Sequence, residues 1–310
     1  MPDIVISEFM DQTAVDSASS DYDIHYDPGL VDNVDRLKEL LKDARALVVR
    51  NRTRVNSELL DAAARLRVIG RLGVGLDNID LPECRRRGVE VCPATGANDD
   101  SVAEWVIVAV MTLLRGAFLS GAEILDGRWP RAKCIGRETG GKTLGLIGFG
   151  AIARKTAARA ASLGMKVVAH DPFVAAGDPA WDFVSRIDSL EALLDAADAV
   201  SVHVPLTDDT RHLIDAEAMA KMKKEAVLIN SARGGVVDER AMVEALSTGH
   251  LGGAAMDVYE TEPLTRGAAE IFAGLDNLLL TPHIGGVTLE SNVRVSKVTM
   301  ENVRRVLERK

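Results

Sequence analysis

The sequence predicts an α/β protein with two doubly wound parallel sheets. Two observations carry this. Apolar runs of strand length alternate with helical patterns along nearly the whole chain, the order expected of parallel strands joined by helices. A second such series starts in mid-chain at Lys142, after a polar, irregular stretch from Gly116 to Gly141. The 310 residues, 47% of them hydrophobic, suffice for two domains that each bury a core.

In the first half, residues 3–6, 46–49, 68–72 and 89–92 read as strands, and 34–41, 57–64 and 82–87 as helices. Asn98-Asp99-Asp100-Ser101 supplies a cap for a long helix ending near Arg115. Its apolar run from Trp105 to Leu114 is too short to span a bilayer; it reads as a buried helix or a subunit interface. In the second half, a strand runs into Gly148, a helix follows to about Leu163, and residues 166–169 form the next strand. Further strands are expected at 199–202, 226–229, 253–256 and 278–280. Residues 288–310 read as a terminal helix with apolar positions at Val293, Val295, Val298, Met300, Val303, Val306 and Leu307. The second sheet is complete before that helix. The expected order is therefore a first domain over 1–98, a second over 99–284, and a return to the first over 285–310. The two crossings, near 97–101 and 283–288, would form a hinge beside a ligand cleft.

A net charge of −9 excludes a general affinity for nucleic acid or anionic membrane. Cys84, Cys92 and Cys134 have no metal or redox spacing and fit a reducing cytosol; no metal site is expected. Asp3 and Glu8 interrupt the first apolar residues, so no signal peptide is expected, and the location reads as cytoplasmic.

Gly148-Phe149-Gly150-Ala151-Ile152-Ala153 has a strand before it and a helix after it. Gly148 allows a tight turn, Gly150 lets the backbone approach a pyrophosphate, and Ala153 is small enough for helix and strand to pack. Free N–H groups and the dipole at the helix start favour that anion. Asp171 ends the next strand, where a carboxylate can bind the adenosine ribose diol and repel a 2′-phosphate. This is a Rossmann-type site for NAD in preference to NADP.

Three later strands end in chemistry-bearing segments: Asn230-Ser231-Ala232-Arg233-Gly234, Asp257-Val258-Tyr259-Glu260-Thr261-Glu262-Pro263, and Thr281-Pro282-His283-Ile284-Gly285-Gly286. Ligands lie beyond the carboxyl ends of strands in open α/β sheets. An alcohol–ketone redox step needs a base for the hydroxyl proton, a carboxylate to orient that base, and a guanidinium to hold a carboxylate and polarise the carbonyl. His283, Glu262 and Arg233 supply these types.

Over nearly all its length the chain resembles the D-isomer-specific 2-hydroxyacid dehydrogenases. The motifs are Gly73-Val74-Gly75-Leu76-Asp77-Asn78-Ile79-Asp80, Ser101-Val102-Ala103-Glu104, the glycine turn, His203-Val204-Pro205-Leu206-Thr207, Asn230-Ser231-Ala232-Arg233-Gly234, Glu262-Pro263 and Pro282-His283-Ile284-Gly285. The resemblance implies a Rossmann-type domain inserted into a flavodoxin-like substrate domain. It also implies Arg233 as substrate clamp, His283 as acid/base and Glu262 as its partner. The backbone of Val74 and Gly75 would bind the substrate carboxylate, and Asp257 the nicotinamide amide. Cofactor contacts would come from Gly148, Phe149, Gly150, Ala151, Ile152, Asp171, His203, Pro205, Thr210, Ser231, Ala232, Asp257, Gly285 and Gly286. The helix containing residues 101–114 would form a homodimer. Formate dehydrogenases share the fold but have Gln where Glu262 stands, so Glu262 favours a proton-transferring enzyme.

Arg50-Asn51-Arg52-Thr53 follows a strand of the first domain, and Asn51 stands where the phosphoglycerate branch usually has Ser. Arg131 and Lys133 lie in Gly127-Arg128-Trp129-Pro130-Arg131-Ala132-Lys133, which resembles a segment supplying a cation to substrate in phosphoglycerate dehydrogenases. Two basic clusters point to an acid with a second anionic group, (S)-3-sulfolactate slightly ahead of 3-phosphoglycerate; solvated surface charges are the competing reading. Sulfur changes the priority order, so the enantiomer placed like D-lactate is named S. The chain ends at Lys310, without the regulatory domain of many serine-pathway phosphoglycerate dehydrogenases, which loosens that assignment. A reductase for glyoxylate or hydroxypyruvate is the enzymatic alternative. An NAD-sensing corepressor is the alternative of another class, against which the complete Arg–Glu–His set argues.

Overall fold

The computed structural model describes residues 2–309. They divide into two compact units, one reaching to Asn98 and resuming at Val287, the other Asp99–Gly286. Among the described residues no helix is long and apolar enough to cross a membrane.

The first unit has a five-stranded parallel sheet: β1 (Ile4–Ile6), β2 (Ile24–Tyr26), β3 (Ala46–Val49), β4 (Val68–Arg71) and β5 (Glu90–Pro93), in the order β2-β1-β3-β4-β5. Alternation along the strands sorts the two faces. Ile4, Ile6, Val48 and Val68 pack with Val295, Met300, Val303 and Leu307 of the terminal helix, Leu289–Glu308. Val5, Leu47, Val49 and Ile69 pack with leucines of the helices Val34–Leu41 and Ser57–Asp61. Each such aliphatic side chain contributes about 1.5–3 kcal/mol relative to exposure. Gly70 is required by this packing, since a Cβ there would stand 2.7 Å from Val303 Cγ2.

The second unit has a seven-stranded parallel sheet: β6 (Thr143–Ile147), β7 (Lys166–His170), β8 (Ser185–Arg186), β9 (Ala199–Val202), β10 (Val227–Asn230), β11 (Gly253–Met256) and β12 (Leu278–Leu280). The order β12-β11-β10-β9-β6-β7-β8 reverses direction between β6 and β9, where such sheets open a crevice for ligands. The helices Asp99–Arg115 and Ala151–Ser162 cover one face. Leu190–Ala196, Ala216–Lys221 and Glu239–Ser247 cover the other.

The structure departs from expectation in a few places. The helix expected over 57–64 is shorter, Ser57–Asp61, because Ala62 already closes its last turn onto Leu59. The edge strands β2 and β8 escape a pattern reading because their residues are half-buried or exposed and so carry little apolar signal. The stretch 116–141 is less polar than expected. It holds short helical turns at Ala117–Leu119 and Gly121–Leu125, and it exposes Phe118, Leu125, Trp129 and Ile135.

Candidate active site

At the end of β6, Gly148 has φ 86°, in the region that glycine enters at little cost, and a Cβ there would meet the His203 carbonyl oxygen at 2.7 Å. At Gly150 a Cβ would meet nothing within 4 Å, and no side chain caps the helix Ala151–Ser162 that follows. The start of that helix therefore offers free N–H groups beside open space, which fits a dinucleotide pyrophosphate. Ala153 is fully buried, as close packing requires. The Phe149 ring is buried and stacked on Trp181, so only its backbone can face a ligand. Asp171, just past β7, accepts from the Phe149 N–H at 2.8 Å and from the Phe173 N–H at 2.8 Å. The carboxylate thus holds the glycine turn in place.

The other expected cofactor residues fall along the same strand ends. His203 lies past β9 with Nε2 2.9 Å from Ser201 Oγ, and removal from water pushes its imidazole down to about 4, so it is neutral at pH 7. The Thr210 hydroxyl donates to the Pro205 carbonyl at 2.6 Å, which shapes that loop. Ser231 Oγ is buried with no partner among the described residues, an orphan of the kind a bound cofactor satisfies.

Arg233, Glu262 and His283 follow β10, β11 and β12, which are adjacent in the sheet. The Asn230 side chain shapes the first loop, accepting from Ala232 N–H and donating to the Arg233 carbonyl, each at 3.0 Å. Gly234 lets the first two loops touch, since a Cβ there would stand 1.8 Å from the Tyr259 carbonyl oxygen. Glu262 Oε1 accepts from the Tyr259 N–H at 3.0 Å, and Oε2 lies 2.7 Å from His283 Nδ1. Burial raises the Glu262 carboxyl, but the His283 hydrogen bond, with Tyr259 N–H and Arg233, holds it below its ordinary value. An ionised carboxylate only accepts, so His283 Nδ1 carries the hydrogen. In the neutral ring Nε2 then has the lone pair and can take a proton. His283 has φ 55°, a left-handed conformation that a non-glycine residue keeps only when its surroundings enforce it.

The enforcement comes from Asp257. Its backbone carbonyl accepts from the His283 N–H at 2.8 Å. Its buried carboxylate accepts from Thr281 Oγ1 at 2.5 Å, Ile284 N–H at 2.8 Å and Gly285 N–H at 2.7 Å. The sequence reading gave Asp257 to the nicotinamide amide; in the structure these three bonds all go to the 281–285 loop.

The lowered carboxyl makes a pH prediction. A depressed folded-state value contributes stability above the unfolded range and loses it as pH falls through the folded value. The melting-temperature gap between the native chain and Glu262→Gln should be full at pH 7 and narrow as pH falls below the ordinary glutamate range. A gap that stays constant with pH would remove the ionised pair from the stability of this site.

In the first unit, Arg50 to Thr53 follow β3, and Val74 and Gly75 follow β4. Val74 is exposed. Asn78 Nδ2 donates to the Thr53 carbonyl at 2.7 Å and ties these two loops together. Arg50 donates to Asn292 Oδ1 at 3.0 Å and lies over the Phe9 ring, while exposed Arg52 pairs with Asp32. In the second unit Lys133 is held between Glu123 at 2.9 Å and Asp276 at 2.6 Å, and Arg131 is exposed. Glu8, Asn78, Asn230 and Thr281 carry no role of their own in the sequence reading. Glu8 and Thr281 stand at strand ends, the same signal that picked out Arg233 and His283.

Residues 107–285 match the family model for the NAD-binding domain of the D-isomer specific 2-hydroxyacid dehydrogenases. The chain is 55% identical to an (S)-sulfolactate dehydrogenase from Chromohalobacter salexigens over 99% of both chains. It is 35% identical to a D-3-phosphoglycerate dehydrogenase from Synechocystis, matching 99% of this chain and 54% of that one. Among solved structures, a glyoxylate reductase from Paecilomyes thermophila superposes with a TM-score of 0.87 at 28% identity, covering 99% of this chain and 95% of that one. With the glycine turn and the Arg233, Glu262 and His283 loops in the geometry above, the chain belongs to the NAD-dependent D-isomer specific 2-hydroxyacid dehydrogenases.

Proposed function

We propose that the chain oxidises a 2-hydroxy acid with a second anionic group, (S)-3-sulfolactate first and 3-phosphoglycerate second. The observation that carries the reaction is the 2.7 Å His283–Glu262 pair beside Arg233 on adjacent strand ends. The similarity to a sulfolactate dehydrogenase over 99% of both chains supports the substrate.

The substrate carboxylate is assigned to the Arg233 guanidinium with the backbone of Val74 and Gly75. The distal anion is assigned to Arg50, Asn51 and Arg52. Arg131 remains a further candidate for it, whereas Lys133 already has two carboxylate partners. NAD supplies the hydride acceptor when bound, held by the Gly148–Ile152 turn and Asp171. His283 Nε2 takes the C2 hydroxyl proton as the C2–H bond breaks. Glu262 stabilises the imidazolium that forms. The same residues serve the reverse reduction.

NADH formation across D-lactate, D-glycerate, 3-phosphoglycerate and both 3-sulfolactate enantiomers tests this. Selective turnover of (S)-3-sulfolactate is expected. Turnover of simple acids alone would discard the second anion, and none with any acid would discard the reaction. Asp171→Ala should weaken NAD and narrow the preference over NADP, because a carboxylate repels the 2′-phosphate. Unchanged preference would remove the ribose contact.

We also infer a homodimer through the helix Asp99–Arg115, whose Val108 is 63% exposed, together with exposed Phe118, Leu125, Trp129 and Ile135. Sedimentation as a monomer would refute it. Three free cysteines, two of them buried, support a cytoplasmic setting; export through a membrane in cell fractionation would count against that.

A further inference from the structure

The loop assigned to the distal anion has an unusual support. Glu8 follows β1, the neighbour of β3 in the sheet. Its side chain is buried and accepts from four consecutive backbone amides. Oε1 takes Arg50 N–H at 2.8 Å and Thr53 N–H at 2.9 Å; Oε2 takes Asn51 N–H at 3.3 Å and Arg52 N–H at 3.1 Å. Burial raises this carboxyl, and the amides of Thr53, Arg50 and Arg52 more than offset it, so the group stays ionised at neutral pH. Thr53 is further fixed by Ser7, whose Oγ lies 3.0 Å from Thr53 Oγ1.

Two consequences follow for a ligand at this loop. Its amide donors are already taken, so a distal anion must be read by the side chains of Arg50, Asn51 and Arg52. The charge there is also nearly balanced. Burial pulls the Arg50 guanidinium below its ordinary value, the Glu8 carboxylate behind it works against that, and Asp32 pairs with Arg52. Two acids against two guanidiniums leave little net positive potential. A phosphate monoester carries about −1.5 to −2 at pH 7, whereas a sulfonate carries a single charge.

We infer that Glu8 is a positioning residue that sets the shape and charge of the Arg50–Thr53 loop, with Asp32 as second counter-charge, so that the loop favours a terminal sulfonate over a phosphate. This rests on the substrate reading above. It explains how one scaffold can discriminate between two tetrahedral anions of similar shape, by the charge behind the guanidiniums and not by their number.

The test compares kcat and KM for (S)-3-sulfolactate, 3-phosphoglycerate and D-lactate in the native chain, Asp32→Asn and Glu8→Gln. NAD titration and thermal melting serve as folding controls. Both variants should move the sulfolactate-to-phosphoglycerate ratio of kcat/KM toward phosphoglycerate by about fivefold, chiefly through KM. A native chain that selects sulfolactate, with a ratio unmoved in both folded variants, would overturn this inference and leave the substrate reading intact. A native chain that prefers D-lactate would overturn both. Gln at position 8 turns an –NH2 toward two amide donors and can prevent folding. In that case Asp32→Asn, on an exposed pair, decides alone.

Discussion

His283→Gln should lower kcat by about 10²–10⁴-fold and leave NAD affinity little changed. Glutamine is close to histidine in reach and can still donate to Glu262 Oε2, the group now 2.7 Å from Nδ1. It has no nitrogen able to accept a proton in the position of Nε2. The left-handed backbone at 283 is strained for either side chain, so the substitution changes the chemistry more than the conformation. The pyrophosphate turn is carried by β6 and its following helix, on other residues. Steady-state kinetics with the best acid, and quenching of protein fluorescence by NADH, separate the two effects. Equal losses in turnover and cofactor affinity would mean that His283 holds the cofactor and is not the base.

The strand-end rule made this residue legible from sequence. His283, Glu262 and Arg233 each follow a short apolar run that proved to be β12, β11 or β10. The glycine turn was legible for the same reason, because Gly148 and Gly150 sit between a strand and a helix that each have a clear period. Glu8 and Asp257 were harder to read. Their work is done through backbone amides of residues 42 to 45 positions away for Glu8 and 27 to 28 for Asp257, and no local pattern announces an acceptor for a distant loop. Lys133 is the opposite case. Its charge was visible, but Asp276, 143 positions away, was not an obvious partner. The strands β2 and β8 were lost because edge positions do not need the apolar run that marks a central strand.

Asp257→Ala should unsettle both the fold of this site and its turnover. The substitution leaves the Ile284 and Gly285 N–H groups without the acceptor now at 2.8 and 2.7 Å, and the Thr281 hydroxyl without its own. The buried one, the Gly285 N–H, costs about 1–3 kcal/mol. The bond from the His283 N–H to the backbone carbonyl of residue 257 survives, so the loop loosens and does not detach. His283 then keeps only that backbone bond to enforce φ 55°, and its ring can swing away from Glu262. A displacement of about 1 Å in a reacting group is enough for a loss of about 10²-fold in kcat. Asp257→Asn should fall between the two, because Asn keeps one acceptor but turns an –NH2 toward an N–H it used to receive. Melting curves and kcat, measured on both variants, check this. A residue that served only to grip nicotinamide would weaken NAD while leaving the melting temperature unchanged. That pattern would leave Asp257 with the cofactor role alone and take it out of the support of His283.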